Sequence, residues 1–492
     1  MKYRSTRCTC GCEGIPSYRA IKDGIAPDGG LYMPESIPSI DMDRVLKTKN
    51  YPELAYYVLS LYLDDYSPKA LAKACTDAYS MPSFSIENSV ELTECGNGIT
   101  SLELWHGPTA AFKDMALQIM PKLLAEALRM AGEPRDAHIL VATSGDTGKA
   151  ALEGYRDLDK TRITVFYPID GVSTVQKMQM VSQLGSNVSV CGIRGNFDDA
   201  QNGVKAIFGN KNAAERLERE HNAFFSSANS INWGRLAPQI IYYVFGYCEM
   251  VRRGTIAAGD IIDICVPTGN FGNIFAAYIA KQMGMPFGRL ICASNKNNIL
   301  TDFLTTGVYD RNRHFYTTTS PSMDILISSN LERLLYFVCG PEKTASYMAS
   351  LARDGRYTVD ADDMARIRES FVGYYCDEDG TAETISDVYS KFGYLCDTHT
   401  AVGYHCAVEY HRESASERKI LLASTASPYK FAADVYFALS GKRAQDDFAS
   451  LTELSALTGV EIPAPLKDID KRTVRFDDVI DPADMLDYIL SR

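Results

Sequence analysis

The middle of the chain repeats one pattern, in which a short β-rich run leads through a glycine-containing turn into a helical stretch. The runs begin at His138, Arg162, Asn187, Ile261 and Arg289. Strands that alternate with helices predict a parallel sheet, because each crossover returns the chain to the same end of the sheet. Helices cover both faces of such a sheet, and ligands bind beyond the carboxyl ends of its strands. We therefore expect an α/β core whose functional residues follow these runs.

The length of 492 residues is enough for two or three domains. Residues 1–98 carry helical patterns at 51–63 and 70–79, which predict a mainly helical N-terminal domain. We expect the α/β core at residues 99–431. Residues 432–492 form an acidic, amphipathic C-terminal extension whose role the sequence leaves open.

Three further stretches have the spacing of apolar residues that predicts helices. They are residues 115–130, 331–339 and 361–375. The last two belong to a segment at about 325–395 in which β-rich runs become sparse. We interpret this segment as a helical insertion in the core.

Charge and hydrophobicity restrict the possible partners. The net charge is -12 and the sequence pI is about 5.2. A nucleic-acid surface needs clustered lysine and arginine, which this sequence does not have. The first residues do not form an apolar signal segment, and no uncharged apolar run reaches the roughly 18 residues of a membrane helix. We expect a cytoplasmic protein that acts on a small molecule; a monomer and a homodimer both remain possible.

Most of the 13 cysteines are scattered singly through apolar stretches. That distribution is typical of reduced core thiols, so we expect no disulfide. The exception is a cluster formed by Cys8, Cys10 and Cys12. It could hold a soft metal, but it lacks the second pair of cysteine or histidine ligands that a closed zinc site requires. We predict no metal site.

One lysine, Lys113, lies in the segment His-Gly-Pro-Thr-Ala-Ala-Phe-Lys-Asp at a turn before the predicted helix 115–130. Burial and the positive end of a helix dipole both disfavour an ammonium ion, so a lysine at such a position loses its proton more easily. A neutral lysine amine is what Schiff-base chemistry requires. The alternative, favoured by the charge pattern alone, is a solvated lysine paired with Asp114.

The segment Pro-Thr-Gly-Asn-Phe-Gly-Asn at 267–273 directly follows a predicted strand and precedes a helical pattern. Glycines at a helix start let backbone N–H groups turn inward and bind a phosphate. The spacing matches neither the dinucleotide fingerprint nor the Walker pattern, so it does not indicate NAD or ATP. A plain turn between strand and helix is the alternative.

Two further loops are rich in side-chain donors that suit a carboxylate or a phosphate. Their candidate residues are Ser144, Asp146 and Thr147 in the first loop, and Ser230, Asn232 and Arg235 in the second. Serine and asparagine clusters also serve as ordinary loops and helix caps, which is the alternative for the second loop.

These motifs together resemble the threonine synthase family of the longer microbial and fungal type. The resemblance is carried by the Lys113 segment, by residues 143–148 and 269–273, and by Ala-Pro-Asp-Gly-Gly-Leu-Tyr-Met-Pro at 26–34. It extends over roughly residues 1–431. The family belongs to the fold type II enzymes that use pyridoxal 5'-phosphate, so the resemblance implies parallel-sheet subdomains with helices on both faces.

The resemblance also implies roles for individual residues. Lys113 would hold the cofactor aldehyde covalently and later move protons. The cofactor phosphate would lie on Gly269, Asn270, Phe271, Gly272 and Asn273. The remaining cofactor contacts would come from Thr425, facing the ring nitrogen, and from Asp146. The substrate would contact Ser144 and Thr147, and its phosphate would contact Ser230, Asn232 and Arg235.

The implied activity is that of a lyase of threonine biosynthesis, which converts O-phospho-L-homoserine and water to L-threonine and inorganic phosphate. One alternative is a phospholyase that uses the same cofactor and substrate but releases 2-oxobutyrate. Sequence motifs separate these outcomes poorly, because both reactions share their early steps. A further alternative is a scaffold that keeps the fold without catalysis.

Overall fold

The computed structural model of the protein describes residues 1–9 and 11–492, with the backbone alone for Asp198. The strands are β1 (Lys2–Ser5), β2 (Ile15–Pro16), β3 (Tyr32–Pro34), β4 (Glu91–Glu94), β5 (Ile99–Glu103), β6 (Asp136–Ala142), β7 (Thr161–Pro168), β8 (Val188–Ile193), β9 (Ala223–Ser227), β10 (Ile262–Pro267), β11 (Phe287–Ser294), β12 (Val308–Asp310), β13 (Arg356–Thr358), β14 (Phe371–Tyr375), β15 (Ile420–Ser424) and β16 (Val479–Ile480).

The helices up to the middle of the chain are α1 (Ser17–Asp23), α2 (Met42–Lys47), α3 (Tyr51–Ser60), α4 (Pro68–Tyr79), α5 (Asp114–Leu117), α6 (Met120–Met130), α7 (Asp146–Tyr155), α8 (Thr174–Val181), α9 (Phe197–Gly209), α10 (Lys211–His221) and α11 (Trp233–Arg252). The later ones are α12 (Gly272–Gln282), α13 (Ile299–Thr306), α14 (Leu331–Cys339), α15 (Pro341–Asp354), α16 (Ala361–Arg368), α17 (Glu378–Phe392), α18 (Thr398–Ser414), α19 (Ala432–Ser440), α20 (Asp447–Thr458) and α21 (Met485–Leu490).

Two sheets form the framework of the molecule. The larger has six strands in the order β14-β11-β10-β15-β5-β4, and the smaller has five in the order β16-β8-β7-β6-β9. Every neighbouring pair is parallel except β4 and β5. The predicted parallel α/β core is therefore confirmed. The five strands predicted from the β-rich runs divide between the two sheets, with β6, β7 and β8 in one and β10 and β11 in the other.

Helix α11 is the centre of the packing. It is buried on nearly all sides and lies against α3, α5 and α12. A helix that is apolar all round belongs inside a large core. Its first residue, Trp233, meets the ring of Tyr3 at 5.6 Å and the ring of Tyr62 at 5.5 Å, centroid to centroid. The N-terminal region is thereby joined to the core.

The N-terminal region is mixed rather than mainly helical. Helices α3 and α4 confirm the two helical predictions, although α3 ends at Ser60. Strands β1, β2 and β3 form a separate antiparallel sheet, and β4 pairs with β5 of the larger sheet.

The prediction of one helix over residues 361–375 is wrong in its second half. Helix α16 ends at Arg368, and β14 pairs in parallel with β11 at the edge of the larger sheet. The segment Phe-Val-Gly-Tyr-Tyr is rich in residues that suit strands. The tight fit at Gly373, where a Cβ would lie 2.8 Å from the Thr301 Cα, ties the strand to α13.

The predicted helix 115–130 is divided into α5 and α6. Pro121 occupies the first turn of α6, where its missing N–H costs nothing. Inside a continuous helix the same proline would remove a hydrogen bond and clash with the preceding turn.

The expectation of no disulfide is also wrong. Cys8 and Cys12 form a disulfide, with their Cα atoms 6.2 Å apart. The turn that brings them together contains Gly11 at φ 59°, a conformation that favours glycine. Cys10, the third member of the predicted cluster, lies outside the described residues.

The end of the C-terminal extension packs onto the smaller sheet, whereas α19 and α20 belong to a buried cluster with strands of the larger sheet. Strand β16 adds to the edge strand β8, and Met485 and Ile489 of α21 join a buried cluster with Phe166. An uncovered sheet edge invites association with other chains, so this pairing protects β8. No helix in residues 1–9 and 11–492 has the length and apolar character needed to cross a bilayer.

Candidate active site

Lys113 lies in the loop between β5 and α5, next to the chain that leaves β15. The Phe112 N–H donates to the Thr425 carbonyl at 2.8 Å, and the Ser427 N–H donates to the Ala110 carbonyl at 3.0 Å. The Lys113 side chain is partly buried, and its Nζ lies 4.6 Å from the centre of the Phe112 ring. Among the described residues Nζ has neither a hydrogen bond nor an ion pair. Its amine is therefore free to react.

The environment of Lys113 makes its neutral form more accessible than that of an ordinary lysine. Burial lowers the pKa of Lys113 to about 8, and the charges of Arg235 and Lys430 act in the same direction while Asp146 opposes them. Helix α5 has only four residues, so its dipole contributes little. An amine with such a pKa is a competent nucleophile and base near neutral pH.

The alternative pairing of Lys113 with Asp114 does not occur. The Asp114 carboxylate is fully buried and accepts hydrogen bonds from the N–H and the Oγ1 of Thr109, each at 2.8 Å. Burial raises the pKa of Asp114 to about 7, despite these hydrogen bonds and the charge of Lys430. This aspartate shapes the Lys113 loop.

Asp146 begins α7 directly after the glycine turn that follows β6. Its Oδ1 accepts from Lys430 Nζ at 2.7 Å and from Gln176 Nε2 at 2.8 Å. Burial alone would raise the pKa of Asp146, but Lys430, Gln176 and Lys113 together lower it to about 2. Asp146 is therefore an ionised carboxylate in a buried place.

The turn that carries Asp146 is held by one side chain. Thr143 Oγ1 accepts from the N–H groups of Gly145 and Gly148, each at 2.9 Å. Ser144 and Thr147 of the same turn are partly exposed. Their hydroxyl groups have no partner within residues 1–9 and 11–492, so both remain available to a ligand.

The loop after β10 presents its backbone. The N–H groups from Asn270 to Asn273 donate to no described residue, as is usual in the first turn of a helix. Its carbonyls are occupied on the opposite side: Ser328 Oγ donates to the Gly269 carbonyl at 2.7 Å, and the N–H and Nδ2 of Asn330 both donate to the Asn270 carbonyl at 3.0 Å. The loop is therefore fixed with its donors free.

Two residues of this loop are restricted by their backbone surroundings. A Cβ on Gly269 would lie 2.6 Å from the Ser322 carbonyl oxygen, so only glycine fits without movement. Phe271 has φ 60° and precedes the first turn of α12. The Asn270 side chain is exposed, and its Oδ1 accepts from Ser329 Oγ at 3.3 Å.

Asn273 adds a side-chain donor to the same helix start. Its Oδ1 accepts from Tyr242 Oη at 2.6 Å and from Tyr243 Oη at 2.5 Å. These bonds orient the amide, and Nδ2 is buried without a partner among the described residues. A buried unpaired donor is costly unless a ligand accepts from it.

Arg235 lies in the first turn of α11 and is 3% exposed. Its guanidinium donates to the Ala228 carbonyl, while Nε is buried with no partner. No acidic side chain of the described residues forms an ion pair with it. Burial lowers the pKa of Arg235 to about 10. A buried cation without an anionic partner is unfavourable in the protein alone, which indicates an anionic ligand.

Helix α11 connects Arg235 with the loop after β10. Gln239 Nε2 donates to the Arg235 carbonyl at 2.8 Å. Tyr242 Oη donates to Asn273 Oδ1 at 2.6 Å and lies 3.1 Å from Gln239 Oε1. Helix α5, which follows Lys113, also packs on α11, as does α12. Helix α11 therefore supports Lys113, Arg235 and the start of α12.

Ser230 and Asn232 differ in availability. The Asn232 side chain caps α11 by accepting from the Gly234 N–H at 2.8 Å, and its Nδ2 donates to the Ile21 carbonyl at 2.8 Å. Both ends of this buried amide are therefore engaged within the protein. The Ser230 hydroxyl accepts from Asn330 Nδ2 at 3.3 Å and keeps its own proton for another acceptor.

Thr425 follows β15 and is 5% exposed. Its carbonyl binds the Phe112 N–H, and Ala426 forms an isolated bridge with Ala111. Its hydroxyl has no partner in the part of the chain that the structure describes. Thr425 is thus fixed beside the Lys113 loop with a neutral donor free.

The sequence predictions missed three residues that support the site. They are Lys430, Gln176 and Asn330. None of them has a local pattern that distinguishes it from an ordinary surface residue. Their roles follow from their contacts in the folded chain, with Asp146 for Lys430 and Gln176 and with the loop after β10 for Asn330.

Positively charged groups outnumber negatively charged groups at the site. Lys113, Arg235 and Lys430 provide cationic groups, whereas Asp146 is the carboxylate that acts on Lys113. The surplus of positive charge and the unpaired donors favour ligands that carry dianionic groups. A reactive amine among such donors suits a small aldehyde or amino acid with a phosphate.

Comparison with known proteins identifies relatives over the whole chain. Family models match for the threonine synthase N terminus at residues 2–79, for pyridoxal-phosphate dependent enzymes at 92–425, and for the threonine synthase C-terminal region at 400–489. Threonine synthase-like 1 of Homo sapiens is 37% identical over 446 residues, which cover 88% of this chain and 59% of that protein. The chain therefore spans less than two thirds of this relative.

Two other relatives match over most of their length. Threonine synthase of Schizosaccharomyces pombe is 35% identical over 473 residues, which cover 89% of this chain and 90% of that protein. The crystal structure of pyridoxal phosphate-bound threonine synthase from Brucella melitensis superposes with a TM-score of 0.86 at 36% identity, covering 100% of this chain and 99% of that one. The chain belongs to the threonine synthase family of fold type II pyridoxal-phosphate-dependent enzymes.

Proposed function

We propose that this protein converts O-phospho-L-homoserine and water to L-threonine and inorganic phosphate, with pyridoxal 5'-phosphate as cofactor. The observation that carries the proposal is Arg235, a buried cation without an anionic partner that acts electrostatically on the free amine of Lys113. The family relationship supports both the cofactor and the phosphorylated amino acid.

The residues present fit pyridoxal phosphate. The unpaired N–H groups from Asn270 to Asn273 and the buried Asn273 Nδ2 suit its phosphate. The amine of Lys113 suits its aldehyde, and the free hydroxyl of Thr425 suits its ring nitrogen. When bound, the cofactor supplies an electron-withdrawing ring that stabilises negative charge developing on the substrate.

Lys113 is the proposed base. With a pKa of about 8, its amine accepts a proton from a substrate carbon and returns it without a large energetic penalty. The ionised Asp146 lies within electrostatic reach and stabilises the ammonium form of Lys113 after each transfer.

The substrate phosphate is proposed to bind Arg235 and Ser230, with Asn232 holding the start of α11 that carries Arg235. Arginine binds phosphate with several N–H groups at once, which positions the leaving group. Ser144 and Thr147 are proposed to bind the substrate carboxylate through their free hydroxyls. The same contacts thereby provide specificity and orientation.

We propose that residues 99–431 carry the activity and that residues 1–98 close the site on one side. Two contacts support this division: Asn232 Nδ2 bonds the Ile21 carbonyl, and Arg333 Nε bonds the Tyr32 carbonyl at 3.2 Å. Residues 432–492 are proposed to stabilise both sheets, with α19 and α20 in the cluster of the larger sheet and β16 and α21 on the smaller one, rather than to take part in the chemistry.

The test is product analysis of purified protein with pyridoxal phosphate and O-phospho-L-homoserine. We expect L-threonine and inorganic phosphate in equal amounts. Release of 2-oxobutyrate instead of threonine would assign the phospholyase reaction. Absence of any turnover, with the cofactor bound as judged by visible absorbance, would reject both reactions.

A further inference from the structure

Lys430 is a second lysine of the site. It lies in a turn after β15 and is 1% exposed. Its Nζ donates to the Thr109 carbonyl at 3.0 Å and pairs with Asp146 Oδ1 at 2.7 Å. Lys113, by contrast, has no such partner. The two lysines therefore differ in their contacts: the Lys113 amine is free, and the Lys430 amine is held in place.

The Asp146 carboxylate is held through one of its two oxygens. Lys430 and Gln176 both bind Oδ1, whereas Oδ2 has no hydrogen-bond partner among the described residues. A carboxylate fixed through one oxygen presents the other in a defined direction. The charged groups that act on Asp146 are Lys430 and Lys113.

Asp114 offers a comparison within the same site. Its carboxylate is as deeply buried, and Thr109 alone donates hydrogen bonds to it. Burial raises the pKa of Asp114 to about 7, whereas the pKa of Asp146 is about 2 because Lys430 and Gln176 outweigh the effect of burial. The ammonium group in direct contact is the main difference between the two.

We infer that Lys430 is a positioning residue, whose ammonium group keeps Asp146 ionised and directs its Oδ2 into the site beside Lys113. Thr109 joins Lys430 to Asp114, since its carbonyl accepts from Lys430 while its N–H and hydroxyl hold Asp114. The identity of the substrate in this inference rests on the proposed function. The ionisation state of Asp146 does not.

The first test compares Lys430→Met with Lys430→Arg in the full chain with pyridoxal phosphate. Without the ammonium group, Asp146 takes up a proton near neutral pH, as a buried carboxylate without a cation does. For Lys430→Met we expect kcat/KM to fall about 100-fold at pH 7 and to gain a new acid limb. Lys430→Arg keeps the charge and should keep the wild-type pH profile. An unchanged profile in Lys430→Met would overturn the inference.

The second test measures unfolding and needs no turnover. In the wild type the pKa of Asp146 lies below its unfolded value, so its contribution to stability is constant above about pH 5 and is lost only as the pH falls toward 2. In Lys430→Met the folded pKa would lie above the unfolded value. The melting temperature of that variant should therefore fall, relative to wild type, as the pH rises from about 4 to 7.

Asp146→Asn is the matched variant, because its amide side chain does not titrate. The double variant Lys430→Met/Asp146→Asn should lose this pH dependence and melt at a higher temperature than Lys430→Met alone. If Lys430→Met does not fold, recovery of folding in the double variant supports the inference. A double variant no more stable than Lys430→Met would contradict it.

Lys149→Met is the control for loss of a buried lysine. Lys149 is 6% exposed and pairs with Glu153 at 2.9 Å, and Glu153 keeps a second partner in Arg156. This variant should melt at a lower temperature while its kcat/KM keeps the wild-type pH profile. If the wild-type protein makes no threonine, the melting curves still decide the state of Asp146, so failure of the proposed function is distinguishable from failure of this inference.

Discussion

The loop after β6 and the loop after β10 occupy equivalent places at the carboxyl ends of the two sheets, yet they offer ligands different groups. The first presents side chains, with an ionised carboxylate at Asp146 and free hydroxyls beside it. The second presents backbone N–H groups and has no charged residue from Gly269 to Asn273. The charge of Asp146 acts on Lys113, whereas a phosphate seat needs only fixed backbone donors.

Both loops nevertheless share one principle of construction. In each, distant side chains occupy the atoms that face away from the site: Lys430 and Gln176 bind Asp146 Oδ1, while Ser328 and Asn330 bind the carbonyls of the second loop. The atoms that face the ligand are left free. The following variants test this division, from the largest expected effect to the smallest.

Replacement of Lys113 by alanine removes the proposed reactive amine, next to which we expect both loops to hold their ligands. We expect kcat to fall by at least about 1,000-fold, because no other described side chain of the site combines a free amine with a pKa of about 8. The protein should remain folded by circular dichroism and should lose the visible absorbance of covalently bound cofactor. Turnover close to wild type would show that Lys113 is not the reactive residue of the site.

Gly269→Ala tests the backbone loop alone. The added Cβ meets the Ser322 carbonyl at 2.6 Å, so the loop must shift, at a cost of about 1–3 kcal/mol in cofactor affinity. Titration of cofactor-free protein with pyridoxal phosphate measures this cost. Gly209→Ala is the control, since within the described residues no atom beyond its chain neighbours and its own helix backbone lies within 4 Å of its Cβ position. Equal affinities for the two variants would contradict a phosphate seat at this loop.

Arg235→Met should separate stability from function. Removal of a buried cation without an anionic partner should stabilise the ligand-free protein by about 1 kcal/mol or more, while KM for the phosphorylated substrate rises about tenfold. Arg333→Met is the contrast, because its N–H groups bind the carbonyls of Tyr32 and Ile231. That variant should unfold at a lower temperature. An Arg235→Met protein with unchanged KM would remove Arg235 from the phosphate site.

The pH dependence of cofactor binding should show the smallest effect. Burial lowers the pKa of Lys113 to about 8, so the fraction of neutral amine increases as the pH rises through 8. The rate at which cofactor-free protein recombines with pyridoxal phosphate should increase severalfold between about pH 7 and 9 and then level off. Stopped-flow absorbance measures this rate. A rate still rising above pH 10 would indicate an unperturbed lysine.

The sequence predicted well those features that depend on neighbouring residues. The parallel strands, the glycine turns after β6 and β10, and Lys113 before a helix were all visible, because apolar spacing and turn glycines are local signals. Local signals also misled. Residues 371–375 continued a helical pattern but pair with β11 as a strand, and the cysteine pattern gave no sign that the turn at Gly11 would join Cys8 to Cys12.

By itself, the sequence determined the α/β class, the order of the loops and the lysine, Lys113, that we propose as the reactive amine. The tertiary structure alone decided which groups become free and which become fixed. Asp146 is an ionised carboxylate because Lys430, far away in the chain, packs against it, and Asn232 caps a helix while Arg235 is left unpaired. These outcomes depend on burial and on hydrogen-bond partners, which arise only when distant segments pack together.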